Sequence, residues 1–360
     1  MKNITALATI MMIAGISHAH AFDAHIYANT ITTHNITTLQ HTITNTAFGS
    51  FGGSMATTLS KTATLAPQSS KAPNNNAKIY GSAPIYGEYN DDGSAGRSGG
   101  DRYNSDATLT GMWFNWQHAS ENTKFDNFER LDTKFDNAMF GVSGGQTKLW
   151  NGTSKWGIYA GYIDGHQQNS NIDISEQGGY VGIYNGNKFG NLNVYTTING
   201  GVIDNSADTI LGTDEYTNIW VGGAVKTTYS FALDDTFSII PGLHIGYTWV
   251  KDENYTAASG DILNNDAFST FEITPSIRAV KHIGNGWHGA LSSAYIITTN
   301  NGGDISVNNI DIDNLAMGNF IEYSISLEKS VAQFTFTANI GRRDGARDGW
   351  IGGMNIKYAF

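Results

Sequence analysis

The chain contains no cysteine, which excludes disulfide bonds and thiolate chemistry as sources of stability or catalysis. Proline is scarce, at 5 of 360 residues, and charged residues make up only 15%. The charge is also one-sided: 32 acidic against 21 basic side chains leave a formal net charge of -11, which argues against nucleic acid as a partner. No apolar run reaches the roughly 20 residues that a membrane-crossing helix needs. What the chain has instead is glycine, 42 residues of it, and 12% aromatic side chains. Disordered chains are poor in aromatics, so this one folds. A mean hydropathy of -0.27 speaks against a helical membrane protein. It is compatible with a transmembrane β-barrel, in which every second side chain faces water.

The N-terminus has the pattern of an export signal. Lys2 supplies the positive end, residues 4–16 the apolar core, and Ala19-His20-Ala21 an A-x-A cleavage site, so that residues 1–21 would be removed. Residues 22–105 form a second compositional unit. It opens rich in Thr, Asn and His and continues through Pro, Ser, Asn and Gly, which cannot bury much apolar surface. The reading is a short, largely flexible segment and linker, with some early β order and a short helix over 54–66.

From residue 106 onward, apolar and polar residues alternate between turn clusters, and twelve strands are expected to the end of the chain. The final strand is the clearest: Trp350, Gly352, Met354, Ile356, Tyr358 and Phe360 share one face, with Ile351, Gly353, Asn355, Lys357 and Ala359 on the other. Gaps after the odd-numbered strands are long and polar (118–133, 164–176, 204–215, 252–266, 299–316). Those after the even-numbered strands are short. Long loops on one rim and tight turns on the other mark an up-and-down outer-membrane barrel; a Greek-key sandwich has no reason to alternate in this way. The fold class is therefore all-β, a twelve-stranded antiparallel transmembrane β-barrel behind a mostly irregular N-terminal segment. Since lipid offers backbone groups no water, the sheet must close, last strand against first. Trp113, Trp156, Trp249, Trp287, Trp350, Tyr358 and Phe360 are expected in the interfacial aromatic girdles. Lys226, Glu272, Arg278, Glu322, Glu328 and Lys357 are expected to line the lumen, hydrated, paired across it or holding a threaded segment.

Three features make residues 106–360 resemble the β-domain of autotransporters, the translocator barrels of type V secretion. Met354, Ile356, Tyr358 and Phe360 resemble the family's C-terminal signal, read by the barrel-assembly machinery. The segments 237–247 and 271–278, each with a proline ahead of alternating apolar residues, resemble its mid-barrel strands. The Gly- and Tyr-rich stretches 155–162 and 178–184 are similar to its early hairpin. The resemblance implies an outer-membrane barrel that exports or displays an N-terminal passenger at the cell surface. Its partners would be outer-membrane lipid, the export translocon and barrel-assembly machinery during biogenesis, and its own N-terminal segment in the lumen, in a monomer. Here the passenger is short and shows no repeat. Residues 84–105, just before the first strand, are too rich in Gly and Pro for the pore-threading helix usual at that place. The alternative is a porin-like or structural barrel without an export task.

Chemical motifs are weaker. Gly141-Val142-Ser143-Gly144-Gly145 fits G-x-S-x-G, but inside an expected membrane strand rather than at a strand-to-helix elbow. His25, His34 and His41 stand at gaps that fit no standard zinc spacing. The acidic loops 252–266 and 304–313 do not match the twelve-residue calcium loop, and the flanks of Asn74-Asn75-Asn76 do not match a self-cleavage helix. No catalytic residue, metal or cofactor is expected.

Overall fold

The computed structural model describes residues 15–51, 109–126, 128–312 and 314–360. Twelve long strands account for most of it. In chain order they are β1 (Leu109–Thr123), β2 (Leu131–Gly144), β3 (Gly152–Gln168), β4 (Ile172–Phe189), β5 (Leu192–Thr209), β6 (Gly212–Tyr229), β7 (Phe237–Val250), β8 (Phe268–Gly284), β9 (Trp287–Gly302), β10 (Phe320–Val331), β11 (Phe334–Gly345) and β12 (Arg347–Ala359). Each pairs antiparallel with its sequence neighbours, and β12 returns to β1 in a continuous register from Gly111↔Ala359 to Thr123↔Arg347. The sheet is a closed barrel with no edge.

Alternation decides which way each residue points. Phe140, Ile158, Val181, Ile198, Ile325 and Phe336 are exposed on the outside. Asn137, Asn199, Asn218 and Thr270 are buried inside. Apolar outside and polar inside inverts a soluble protein and matches hydrocarbon around a wet lumen. Phe360 ends the chain at the rim that carries the tight turns, where β1 also begins. That rim is the periplasmic one.

The strands run longer than the alternation suggests. β4, β5 and β6 have 18 residues each, which at about 3.3 Å per residue and a tilt of about 40° rise about 45 Å, against roughly 30 Å of hydrocarbon. The excess projects beyond the membrane at the loop rim, where exposed outward positions turn acidic: Asp132, Asp164, Asp173, Asp204 and Glu215. Loops expected to be long at 118–133, 164–176 and 204–215 shrink accordingly to 124–130, 169–171 and 210–211. Ladder hydrogen bonds continue after the lipid face has ended, so polarity alone misplaced these strand ends. Only two long loops remain. They join in a second, four-stranded sheet of Glu253–Thr256, Ile262–Asn265, Ile305–Val307 and Ile310–Ile312 over the outer mouth.

The one helix among the described residues, α1 (Gly15–Phe51), fills the lumen. It takes the place of the first part of the largely flexible segment, with some early β order, expected over residues 22–105. The backbone bounds of α1 include the proposed cleavage site Ala19–Ala21. The short helix expected at 54–66 and the segment 84–105 lie outside the described residues. At about 1.5 Å per residue, 37 residues reach about 55 Å, the full height of the barrel. No described helix is long and apolar enough to cross a membrane on its own; α1 crosses inside a protein wall.

Candidate functional site: the plugged lumen

The composition of α1 suits its position. Between residues 24 and 51 it carries no Lys, Arg, Asp or Glu, so no charge has to be matched along its length. Its threonines satisfy themselves: the hydroxyls of Thr32, Thr33, Thr37 and Thr44 donate to carbonyls three residues back, at 2.8–3.0 Å. Such bonds compete with a helix in water, but here they leave a side of the helix that needs little from the wall. Thr-rich segments have poor helix propensity, and the apolar contribution of α1 is confined to a few residues such as Ile36, Leu39, Ile43 and Ala47, which pack against wall aromatics. Enclosure is what makes it helical, because a helix satisfies every backbone group internally.

The wall holds α1 from His25 to Ser50. At the outer mouth, His25 Nδ1 lies 2.7 Å from Asp214 Oδ2 and Ser259 Oγ 3.0 Å from His25 Nε2. One turn lower, Asn218 Nδ2 donates to Asn29 Oδ1 at 2.8 Å, and His34 Nε2 donates to the Leu315 carbonyl at 2.9 Å. Ile26 packs into the apolar underside of the four-stranded sheet with Ala257, Leu263, Ile305 and Val307. Near the periplasmic rim, Lys226 Nζ donates to Asn45 Oδ1 (2.9 Å), Asn355 Nδ2 to Ser50 Oγ (2.7 Å) and Lys357 Nζ to the Gly49 carbonyl (2.8 Å).

Midway along the helix, a polar and ionic web ties six strands to it. Glu121 of β1 is approached by Arg347 Nη1 at 2.6 Å and Arg343 Nη1 at 3.2 Å. Arg343 Nε reaches Glu322 at 3.0 Å, and Arg347 Nη2 donates to Asn35 Oδ1 at 3.2 Å. Asn35 also donates to Glu176, which accepts from Gln167 at 2.6 Å. Beside this web lies a cavity of about 80 Å³ lined by Thr38, His41, Thr42, Glu121, Glu322 and Arg343, room for a few waters.

Closer to the periplasmic rim on β3 and β4, glycines admit aromatic rings. The Tyr180 ring lies where a Cβ on Gly161 would be, and the Tyr159 ring where one on Gly182 would be. Tyr180 OH donates to Asn137 Oδ1 at 2.6 Å. Trp113, expected in an outer girdle, belongs to this group: only 2% exposed, it packs against Tyr159 and Tyr184 inside the lumen. Its odd-numbered position on β1 is the lumenal one, and Nε1 finds a partner there in Tyr184 OH at 3.0 Å. Trp156, Trp287, Trp350 and Phe360 do lie outward and exposed. Ser143 is the penultimate residue of β2, 2.9 Å from Tyr184 OH, and another extended stretch rather than a helix follows it.

Of the expected lumenal charges, Lys226, Glu272 and Lys357 contact α1. Glu322 pairs with Arg343. Glu328 accepts from Thr337 at 3.3 Å. Arg278 is half-buried on the strand that carries Glu272. Sequence reasoning passed over Glu121, Asn35, Arg343 and Arg347. A glutamate on the apolar-alternating β1 and two arginines four apart at the outer end of β11 and the start of β12 were the available signal. His25, His34 and His41 do not converge; they meet three separate stretches of wall. In the outer sheet, hydrogen bonds from Ser259 and Asn308 hold the Asp261 carboxyl below its usual range, and burial pushes the Tyr255 phenol up. The outer loops read as acidic in sequence thus form a hydrogen-bonded lid.

A closed, edge-free cylinder with an apolar exterior and its own chain threaded through it defines an outer-membrane barrel of the translocating kind. The autotransporter β-domain family model matches residues 127–347. The chain belongs to that family: it is an outer-membrane translocator barrel that exports a passenger. Similar folds are found in the transport unit of the autotransporter AIDA-I from Escherichia coli (16% identity, 69% of this chain and 90% of that one, TM-score 0.59). Another is the β-domain of the Bordetella autotransporter BrkA (14%, 70% and 100%, 0.55). A third is the translocator domain of NalP from Neisseria meningitidis (8%, 72% and 91%, 0.54). A comparison with curated protein sequences gives no match.

Proposed function

We propose that α1 is the exported segment of this chain, retained in the barrel that exported it. Residues 1–21 are then the signal peptide, 22–105 the passenger-like unit, and 106–360 the translocator. The observation that carries this reading is the direction of α1. His25 meets Asp214 and Ser259 at the outer mouth, while Ser50 meets Asn355 at the periplasmic rim. Cleavage after Ala21 would leave the mature N-terminus at the cell surface, under the four-stranded lid. Because α1 ends and β1 begins at the same rim, the residues joining them, 52–108, would remain on the periplasmic side. The displayed surface is then the lid and the first residues of the mature chain.

The role needs no catalytic residue. Its partners are outer-membrane lipid around the apolar belt and, during biogenesis, the export translocon and the barrel-assembly machinery reading Met354, Ile356, Tyr358 and Phe360. A barrel with no free edge has no need of a second copy, which supports a monomer. A porin-like role is the weaker reading because α1 occupies the lumen.

The absence of cysteine makes the test free of background. Ser70→Cys and Asp311→Cys are introduced singly, and intact cells are treated with a membrane-impermeant maleimide. Asp311→Cys, on the lid, should label directly; Ser70→Cys should label only after the outer membrane is permeabilised. Labelling of Ser70→Cys in intact cells would place the linker outside and end this reading.

A further inference from the structure

Where α1 passes β7 and β8, three potential metal ligands from three elements converge. His41 Nδ1 of the helix lies 2.6 Å from Glu272 Oε1 of β8, and His244 Nε2 of β7 lies 3.7 Å from the same oxygen. One ligand atom from each of the three lies within 4.8 Å of the others, and all three side chains are buried. His41 is well satisfied: Asn45 Nδ2 donates to its Nε2 at 2.9 Å, so Nδ1 carries the proton and donates to Glu272. His244 is not. It is 2% exposed, its Nδ1 has no hydrogen-bond partner, and its Nε2 stands beyond hydrogen-bond reach of the carboxylate.

We propose that His41, His244 and Glu272 form a divalent-cation site, of the zinc class, that staples the plug to the barrel wall. A tetrahedral ion with nitrogen and oxygen ligands at about 2.0–2.2 Å sets those ligands about 3.3 Å apart. The two distances to Glu272, 2.6 and 3.7 Å, bracket that value, and the third separation is within 4.8 Å, so small side-chain shifts assemble the three. Two imidazoles and one carboxylate are a borderline-soft donor set that suits zinc over calcium or magnesium. The ion would replace the Nδ1 proton of His41, with one proton released, and would bind His244 at Nε2, the ring nitrogen that faces Glu272. Thr274 Oγ1, donating to Glu272 Oε1 at 2.6 Å, already orients the carboxylate.

Lys226 opposes the ion. Its ammonium holds Asn45 Oδ1 at 2.9 Å, and metal-bound His41 would need that oxygen for its Nε2 proton. The site should therefore be tunable: removing Lys226 relieves both repulsion and competition. The inference concerns contacts inside the lumen and does not depend on which rim the linker occupies.

The test uses the refolded full chain in detergent, freed of metal with a chelator and titrated with Co²⁺ as a spectroscopic probe, then with Zn²⁺ in competition. One equivalent should bind with a tetrahedral cobalt spectrum. His244→Ala and His41→Asn should each weaken binding at least tenfold, and Lys226→Met should strengthen it. His282→Ala removes the hydrogen-bonded His282–His288 pair near the periplasmic turns and should change nothing. Heat-modifiable migration verifies that each variant is folded. Failure of the folded wild-type chain to bind, binding lost in His282→Ala rather than His244→Ala, or no tightening in Lys226→Met would each overturn the proposal.

Discussion

Arg347 Nη1 approaches Glu121 Oε1 to 2.6 Å across the seam where β12 closes on β1, and both side chains are 1% exposed. The seam is thus joined by backbone bonds and by a buried ionic web in which one carboxylate serves two guanidiniums. Glu121→Gln would leave Arg347 buried without its counter-charge, a change that typically costs about 3–5 kcal/mol. Glu322→Gln, at a carboxylate 23% exposed and paired with Arg343 alone, should cost about 1 kcal/mol or less. Urea titration of the two variants in detergent distinguishes them. Equal losses would mean that the web is hydrated and the seam does not depend on it.

The contact of Tyr180 with Gly161 makes a different prediction. Any side chain on Gly161 must displace the ring, which is fixed by its hydrogen bond to Asn137. Gly161→Val should destabilise the barrel by about 1–3 kcal/mol through overpacking. Combining it with Tyr180→Ala should return part of that loss, because the space in dispute is then empty. Simple additivity in this double-mutant cycle would refute the packing argument.

The architecture was legible in the sequence because lipid imposes a strict rule: from Phe271 to Ile277 and from Met354 to Phe360, every second side chain must be apolar. Where lipid ends the rule lapses, which is why the outer ends of β3 to β6 and the lid sheet were read as loops. Trp113 was misplaced for a related reason. An aromatic near a strand end reads as interfacial, but the position on β1 is lumenal and the wall opposite supplies Tyr159 and Tyr184. The plug was illegible altogether. Thr, Asn and His in α1 carry neither helix propensity nor an apolar face, and only a surrounding cylinder makes helix their best state.

The lid should loosen in acid. Asp261 is held below its ordinary range first by the Ser259 hydroxyl and then by Asn308, whose backbone N–H also bonds the Ile262 carbonyl across the two hairpins. A depressed folded value means these bonds contribute fully above the ordinary aspartate value, about 3.9, and are lost as pH falls through the lower folded one. Pepsin digestion of intact cells should therefore cut the lid increasingly over that acid window. Asp261→Asn should already be susceptible above it. Cleavage that does not change with pH in the wild type would exclude the carboxylate as the latch.

Phe360 and Ile356 separate assembly from stability. Ile356 pairs with Phe114 and Phe336 on the lipid side of β12, so Ile356→Arg should cost about 2–4 kcal/mol if it sits near the bilayer midplane. Phe360→Ala removes little from the folded barrel, being half exposed. It should slow insertion in cells while leaving the unfolding midpoint of purified protein unchanged. A shifted midpoint with normal insertion would reverse the two roles.

The plug itself yields the most direct measurement. With α1 in place its side chains occupy the lumen, and the cavity beside the ionic web is only about 80 Å³, flanked by Glu121 and Arg343 of opposite charge. Such a space passes few ions, so the full-length barrel in a planar bilayer should be nearly silent. Deleting residues 22–51 removes every contact from His25 to Ser50 and leaves a lumen lined by Asn137, Asn199, Asn218 and Glu272, which should conduct steadily. Asn355→Ala together with Lys357→Met frees only the periplasmic end of the helix. Because His25, Asn29 and His34 still hold the other end, that variant should flicker between the two levels rather than stay open. If the full-length protein conducts as freely as the deletion, α1 does not occupy the pore, and the retained-segment reading fails with it.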